Sequence, residues 1–201
     1  MPTCADLTFD DDELRLIRSV TDDTGRADWD DAALANVRRK IKEHFLEVML
    51  HMCAYCQRPL NGEFQMVIDV EHILPKHVFY DLMFEPENLT VACKRCNLGI
   101  KKGKWNFVGR LDEGEVRAEW RTGATYEIAH PNYDDVFEHL ELLILQRGSR
   151  RVMAYKTYTN KGDATFNFFE LKRLEIEQFD RSQGIESSAS DLANDVAKLF
   201  I

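Results

Sequence analysis

Four cysteines fall into two closely spaced pairs, Cys53/Cys56 and Cys93/Cys96, and a fifth, Cys4, stands alone near the start of the chain. A Cys-x-x-Cys spacing places two thiolates on one tight turn, where both can bind the same ion. A single pair could be a redox motif, but two pairs in one short segment favour zinc over redox chemistry or a disulfide framework. Four thiolates fill a tetrahedral coordination sphere, so the predicted Zn²⁺ is structural.

The segment between the two pairs contains a carboxylate next to a histidine, Glu71-His72, at the end of a predicted strand. Such a carboxylate can bind a hard divalent ion, while the neighbouring imidazole can deprotonate water. Asn97, directly after the last cysteine, offers an amide oxygen to the same ion. Each residue alone has an ordinary explanation as surface polarity or a turn residue. Together they predict metal-assisted hydrolysis.

Taken in order, these motifs resemble the HNH endonuclease family. The family pattern is Cys-x-x-Cys, an acid-His pair before Ile/Leu-x-Pro, Asn-Leu, and a second Cys-x-x-Cys followed by Asn or His and a lysine. The matching residues are Cys53/Cys56, Glu71-His72-Ile73-Leu74-Pro75, Asn88-Leu89, Cys93/Cys96, Asn97 and Lys101/Lys102. The resemblance covers residues 53–104 and implies a ββα-metal finger, in which two strands and a helix surround a catalytic divalent ion.

The resemblance also implies a role for each matching residue. His72 would be the general base, and Glu71 and Asn97 would bind the catalytic Mg²⁺ or Mn²⁺. Asn88 would hydrogen-bond within the finger loop and keep His72 aimed. Asn97 stands where the family name has a histidine, and Glu71 is longer than the aspartate common at its position. Asp69, two residues earlier on the same strand face, could therefore help or substitute as a ligand.

The expected substrate is DNA, with RNA as the alternative, and the expected products carry 5′-phosphate and 3′-hydroxyl groups. Basic side chains cluster at the start of the predicted finger helix and could contact phosphates next to the scissile bond. They are Lys94, Arg95, Lys101, Lys102 and Lys104. A solvated basic face is the alternative explanation for any one of them.

The charge distribution bears on partners. The 201-residue chain has a net charge of −9, and residues 1–30 carry nine acids against three bases. Phosphate binding needs lysine and arginine, so the sequence predicts weak DNA affinity without a protein partner, and higher activity once residues 1–30 are deleted. No apolar run is long enough to span a membrane, and the start lacks the features of a secretory signal, so a cytoplasmic location is expected.

The predicted fold class is α+β, a ββα-metal (HNH) finger with structural zinc embedded in helical flanking segments. We expect an acidic N-terminal segment at 1–30, a leading helix plus nuclease core at 31–105, and a mostly helical region at 106–201. Apolar periodicity predicts helices at 31–52, 134–146, 168–180 and 192–200. Alternation predicts strands at 64–72, 88–91 and 152–159, the last ending in a turn at 160–162.

A second cluster of polar residues follows Ala129: His130, Asp134, Asp135 and His139. These residues could form another metal or phosphate site, but the start of a helix capped by Asp134 is the favoured interpretation.

The order of helix, finger and helical tail, with the His-Pro-x-x-Asp segment, also resembles the small HNH effectors of bacterial anti-phage systems, especially the Septu-type nucleases. That resemblance implies a protein partner such as an ATPase. The competing hypotheses are a zinc-structured module that binds nucleic acid or a partner without catalysis, and a regulatory subunit.

Overall fold

The computed structural model describes residues 2–147 and 150–178, so the helix predicted at 192–200 lies outside the described residues. The helices are α1 (Asp11–Ser19), α2 (Ala35–Val48), α3 (Glu113–Glu119), α4 (Val136–His139) and α5 (Asn160–Phe168). The strands are β1 (Ile68–His72), β2 (Leu89–Cys93), β3 (Leu140–Arg147), β4 (Arg150–Thr157) and β5 (Ile176–Gln178). The predicted α+β class is confirmed.

The predicted finger is built from β1, β2 and the turn of helix that follows them. β1 and β2 pair antiparallel, with Ile68 opposite Cys93 and His72 opposite Leu89. The chain then enters a π-helix, Arg95–Lys101, which we call the finger helix. The antiparallel register places the end of β1 beside the start of β2, and the finger helix returns across the hairpin.

Helix α2 packs against both strands of this hairpin. Its apolar positions recur every three to four residues and are buried on one face: Val37, Ile41 and Phe45. A short 3₁₀ turn precedes it, and the Asp31 carboxylate accepts a hydrogen bond from the backbone N–H of Ala33 at 2.7 Å. The helix predicted at 31–52 is therefore confirmed, with its α-helical part at Ala35–Val48. α2 delivers the chain into the first cysteine pair.

The helix predicted at 134–146 is wrong beyond its first turn. α4 ends at His139, and the chain continues as β3, which pairs antiparallel with β4. The run from Leu142 to Leu145 is apolar at every position, a pattern that suits a paired strand as well as a helix. The partner strand β4, which was predicted, settles the choice because it satisfies the backbone of β3 along its whole length.

The helix predicted at 168–180 is also wrong, and the predicted turn at 160–162 opens α5 instead. The Thr159 hydroxyl accepts from the N–H of Gly162 at 3.2 Å and so caps α5. An added Cβ at Gly162 would lie 1.9 Å from the carbonyl oxygen of His139, so this close approach requires glycine. After α5 the chain makes a 3₁₀ turn and adds β5 to β4.

One hydrophobic core draws side chains from all three segments of the predicted division. Leu7 and Trp29 come from residues 1–30, Phe45 from the middle segment, and Phe107 and Phe169 from the C-terminal region. The N-terminal segment therefore packs on the finger rather than hanging free in solvent. Among the described residues, no helix has the length and apolar character needed to cross a membrane.

Candidate active site and cysteine cluster

The two cysteine pairs meet in the core. Cys53, Cys56, Cys93 and Cys96 are all buried, and their four Sγ atoms lie within 4.8 Å of one another. The Sγ atoms of Cys56 and Cys93 are 3.8 Å apart, too far for a disulfide. Zn–S bonds of about 2.3 Å in a tetrahedron place sulfurs about 3.8 Å apart, so the spacing fits zinc.

Secondary structure fixes each sulfur of this cluster. Cys53 and Cys56 lie on the turn after α2, Cys93 ends β2, and Cys96 lies in the finger helix. The backbone N–H of Cys93 donates to the Cys53 sulfur at 3.3 Å, an interaction that favours the thiolate. Burial, together with the neighbouring Cys56 and Cys93, raises the pKa of the Cys53 thiol well above its usual range, and a bound cation would favour the thiolates.

His72 is the last residue of β1, and its ring is held in one orientation. Its Nε2 lies 3.1 Å from the carbonyl oxygen of Met83, which can only accept, so Nε2 carries the proton. Nδ1 has no protein partner among the described residues and is not sealed from solvent. Burial, together with Lys76 and Lys101, lowers the pKa of His72 to about 3, so the neutral ring keeps its Nδ1 lone pair at pH 7.

Asn88 is fully buried and ties together the loop that follows His72. Its Oδ1 accepts from the N–H of Leu74 at 2.7 Å, and its Nδ2 donates to the carbonyls of Leu74 at 3.1 Å and Leu82 at 3.0 Å. These three bonds fix the chain just before Met83, whose carbonyl holds the imidazole. Asn88 therefore acts on the ring of His72 through the backbone.

Glu71 is buried and forms an ion pair with the equally buried Lys101, whose Nζ lies 2.7 Å from Oε1. The Tyr55 hydroxyl donates to the same oxygen at 3.1 Å. Burial raises the pKa of Glu71, and Lys101 and Tyr55 oppose that shift. Lys101 also donates to the carbonyl of His72 at 2.8 Å, so it links the finger helix to the end of β1. Oε2 has no protein partner among the described residues.

Asn97 and Asp69 form a second contact between the finger helix and β1. The Asn97 amide nitrogen donates to Asp69 Oδ2 at 3.1 Å, and Lys94 Nζ lies 2.7 Å from Asp69 Oδ1. Residues 69 and 71 share a strand face, as 97 and 101 share a helix face. The amide oxygen of Asn97 has no protein partner in the described ranges. Glu71, Asp69 and Asn97 thus present oxygens suited to a hard cation. Among the described residues, the four cysteines form the one group of three or more His, Cys, Asp or Glu side chains close enough to hold a metal ion.

These residues open onto one cleft of about 890 Å³, which we call the active-site cleft. Its floor is the end of β1 and the start of the finger helix, and α2 forms one wall. The lining residues include Trp29, Arg38, Arg39, Lys42, Asp69, Glu71, His72, Lys76, Asn97, Lys101 and Lys102. The fold therefore gathers His72, Glu71 and Asn97 at one surface and leaves Asn88 behind it.

The predicted phosphate-binding residues lie in different places. Arg95 donates to the carbonyls of Phe169 at 2.9 Å and Glu170 at 2.8 Å, so it anchors the chain after α5. Lys94 pairs with Asp69, and Lys101 is buried against Glu71. Lys104 lies over the Phe168 ring. Of the five, Lys102 is exposed at the cleft, and its side chain has no hydrogen bond or ion pair within the described residues.

Sequence reasoning missed Trp29 and the basic face of α2. Trp29 packs its ring against His72 with centroids 4.5 Å apart. No local motif marks this tryptophan, because it comes from a segment that looks like a solvated acidic arm. Arg38, Arg39 and Lys42 did carry a signal, since they lie opposite the apolar stripe of α2.

The second polar cluster is structural. Asp134 accepts from the N–H of His130 at 2.8 Å and pairs with Lys161 at 2.5 Å. Asp135, rather than the predicted Asp134, caps α4 by accepting from the N–H of Phe137 at 3.0 Å. His139 Nδ1 lies 2.7 Å from the Thr159 hydroxyl. These contacts join α4 to α5.

The segment that builds the cleft is similar in sequence to a known nuclease family. The profile of the HNH endonuclease family matches residues 53–103, which confirms the predicted resemblance. A Septu protein PtuB from Bacillus mycoides (strain KBAB4) is 24% identical over 137 residues, or 62% of this chain and 44% of that protein. A Septu protein PtuB from Bacillus thuringiensis is 40% identical over 57 residues, or 28% of this chain and 22% of that protein. The chain thus spans less than half the length of these curated relatives, and no solved structure matches it.

Proposed function

We propose that this protein is a metal-dependent endonuclease that hydrolyses phosphodiester bonds in DNA, because residues 53–103 match the HNH endonuclease family. The observation that carries the proposal is the state of His72. A carbonyl holds the proton on Nε2, and the lowered pKa keeps Nδ1 unprotonated at the cleft surface. A neutral, oriented imidazole beside a set of oxygen ligands is what a general base for water needs.

In this proposal His72 Nδ1 accepts a proton from the water that attacks phosphorus. Asn88 and the carbonyl of Met83 keep the ring from turning away. Glu71 and Asn97 would hold Mg²⁺ or Mn²⁺, with Asp69 beside them. That ion supplies, when bound, charge stabilisation for the leaving 3′ oxygen. Lys101 favours the charged form of the buried Glu71 carboxylate, the form that binds a cation, against the effect of burial.

We also propose that the cysteine cluster holds structural Zn²⁺. The sulfur spacing and the amide donated to Cys53 support zinc, and four thiolates leave no open coordination position for substrate. The ion would join the turn after α2 to the finger helix and so set the position of Asn97, which follows Cys96 directly.

A role in anti-phage defence, together with an ATPase-like partner, is a proposal that rests on similarity to the two Septu proteins. The charge of the chain supports a partner, because a protein with net charge −9 gains little from non-specific attraction to DNA.

The test is cleavage of supercoiled plasmid by purified protein with Mg²⁺ or Mn²⁺. His72→Ala should reduce the rate by at least about a hundredfold, the usual contribution of a general base. His44→Ala is the matched control, since His44 lies on α2 and contacts the Thr3 carbonyl rather than the cleft. Equal cleavage by the wild type and His72→Ala would overturn the assignment of His72 as the base, and no cleavage by the wild type would overturn the nuclease assignment and favour a zinc-structured binding module.

A further inference from the structure

We propose that the face of α2 opposite its apolar stripe binds the sugar-phosphate backbone of the substrate next to the scissile bond. Arg39 on α2 and Lys102 after the finger helix would be the principal phosphate ligands, one on each wall of the active-site cleft. The proposal rests on the proposed nuclease function and names the surface that holds its substrate.

Helix α2 forms one wall of the active-site cleft. α2 contributes five residues to the cleft lining: Ala35, Arg38, Arg39, Lys42 and Glu43. Steps of three and four residues place these side chains on one face of a helix. The opposite face is anchored in the core through Val37, Ile41 and Phe45, so this wall is rigid. A strand that reaches His72 through the cleft must therefore pass along the basic face of α2.

The cleft differs in charge from the rest of the protein. The chain as a whole has a net charge of −9. The cleft lining reverses that sign, with six lysines and arginines against four aspartates and glutamates. Two of those acids, Asp69 and Glu71, already pair with Lys94 and Lys101. An acidic protein whose basic side chains cluster around one cleft provides a local binding site for a polyanion.

The basic side chains of the cleft differ in whether the protein itself already engages them. Arg38 donates to the carbonyls of Trp29 and Asp31, and Lys42 donates to the carbonyl of Gln65 at 3.1 Å. The side chains of Arg39 and Lys102 are exposed and make no hydrogen bond or ion pair within the described residues. Their charges are available to a ligand, and the ligand class that belongs beside a phosphodiesterase centre is a phosphate backbone.

The experiment measures binding of fluorescein-labelled 30-mers by anisotropy across a salt series, in a His72→Ala background that prevents cutting. Single-stranded DNA, duplex DNA and single-stranded RNA form separate arms. The test variant is Arg39→Glu/Lys102→Glu. The matched control is Arg110→Glu, an exposed arginine outside the cleft. A charge-preserving variant, Arg39→Lys/Lys102→Arg, reports whether the side-chain shape matters.

We expect the test variant to lose at least about tenfold in affinity and the slope of log affinity against log salt to fall by about 2, one for each lost contact. Arg110→Glu and the charge-preserving variant should bind like the background protein. Equal losses in the test variant and Arg110→Glu, or no loss in either, would overturn the proposal. Such a result would leave the nuclease assignment standing, because that assignment depends on cleavage by the wild type and its loss in His72→Ala.

Discussion

The ring of Trp29 stands edge-on to the imidazole of His72, with centroids 4.5 Å apart and an interplanar angle of 79°. Trp29 is only 8% exposed and is itself braced by Phe84, with ring centroids 5.5 Å apart. The guanidinium of Arg38 donates a hydrogen bond to the backbone carbonyl of Trp29. The general base of the proposed reaction is thus fixed by Met83 through a hydrogen bond and by Trp29 through packing.

Trp29→Ala should lower kcat by about tenfold while KM for DNA stays within about twofold, because the tryptophan orients the ring of His72 and carries no charge that could bind a phosphate. Trp29→Phe keeps an aromatic ring at the same place and should recover most of the rate. Steady-state nicking kinetics on plasmid separate the two constants. A Trp29→Ala enzyme with unchanged kcat would show that the stack has no positioning role.

Deletion of residues 1–30 should destabilise the protein instead of raising its activity, which reverses the expectation from charge alone. The segment supplies Leu7 and Trp29 to the core, and the Glu13 carboxylate pairs with Lys40 on α2. The thermal midpoint of the truncated chain measures the effect. Neutralising the exposed Asp11 and Asp23 with asparagine tests the electrostatic effect separately, since neither carboxylate carries packing. Faster nicking by a stably folded truncation would restore the original expectation.

The packing of residues 1–30 on the finger could not be predicted from the sequence. The spacing and the family resemblance singled out Cys53, Cys93, Glu71 and His72, because the family pattern is local and dense, and the fold brings these residues to the cluster and the cleft. Trp29 lies 43 positions before its partner His72 and belongs to no motif. Only the packing of the N-terminal segment onto the finger brings the two rings together.

The secondary structure after the finger was harder to predict for a related reason. The segment around Leu143 and Ile144 fits both a helix stripe and a strand, and the outcome depends on pairing with β4, where Leu143 lies opposite Ala154. The roles of the basic residues also depend on contacts that the sequence does not reveal. Charge and proximity suggested that Arg95 would contact phosphate, but two carbonyls near α5 engage its guanidinium. Sequence reveals that a cation is present but not whether another part of the chain uses it.

Purified protein should contain about one zinc per chain, retained in His72→Ala, because the cysteine cluster is separate from the base. Cys93→Ser should give misfolded protein, since a structural zinc site contributes directly to folding. Cys4→Ser is the matched control, as Cys4 lies outside the cluster. Elemental analysis and circular dichroism provide the readouts. A natively folded Cys93→Ser protein without metal would remove the structural role of the cluster.

Lys101→Met should lower the free energy of unfolding by about 3 to 5 kcal/mol, because it leaves the Glu71 carboxylate buried without its partner. Both side chains of this pair are 2% exposed. The comparison is Lys94→Met, whose ion pair with Asp69 is 45% and 19% exposed and should be worth less than about 1 kcal/mol. Urea denaturation gives both values. Similar losses in the two variants would mean that the buried pair is no more important than the surface one.

Adding Glu71→Gln to Lys101→Met should restore part of that stability, because the uncompensated charge is gone. The double variant should still fail to cut DNA, since an amide is a poorer cation ligand than a carboxylate. If the double variant regains stability but does not cleave DNA, the effect of Glu71 on folding is separate from its proposed role as a cation ligand. Full cleavage by the double variant would show that Asp69 and Asn97 suffice.

Stability should fall in mild acid through His130, which lies between the rings of Tyr126 and Tyr133 with centroids 4.3 and 4.4 Å away. Burial lowers the pKa of His130 from 6.5 to about 3, with Asp134 opposing the shift and Lys161 adding to it. Between those values the unfolded chain binds a proton that the folded protein does not. Stability is therefore fully present above pH 6.5 and lost as the pH falls towards 3, by about 2 kcal/mol at pH 5.

The check is the free energy of unfolding in urea at pH 7 and pH 5 for the wild type and His130→Phe. The phenyl ring preserves the stack but loses the acceptor for the N–H of Asn132, which lies 3.2 Å from Nδ1. The variant should thus be less stable than the wild type at pH 7, and the gap should narrow by about 2 kcal/mol at pH 5 because only the wild type pays for a neutral histidine. A gap that stays constant between the two pH values would mean that His130 is protonated in the fold and that the neighbouring carboxylate of Asp134 outweighs its burial.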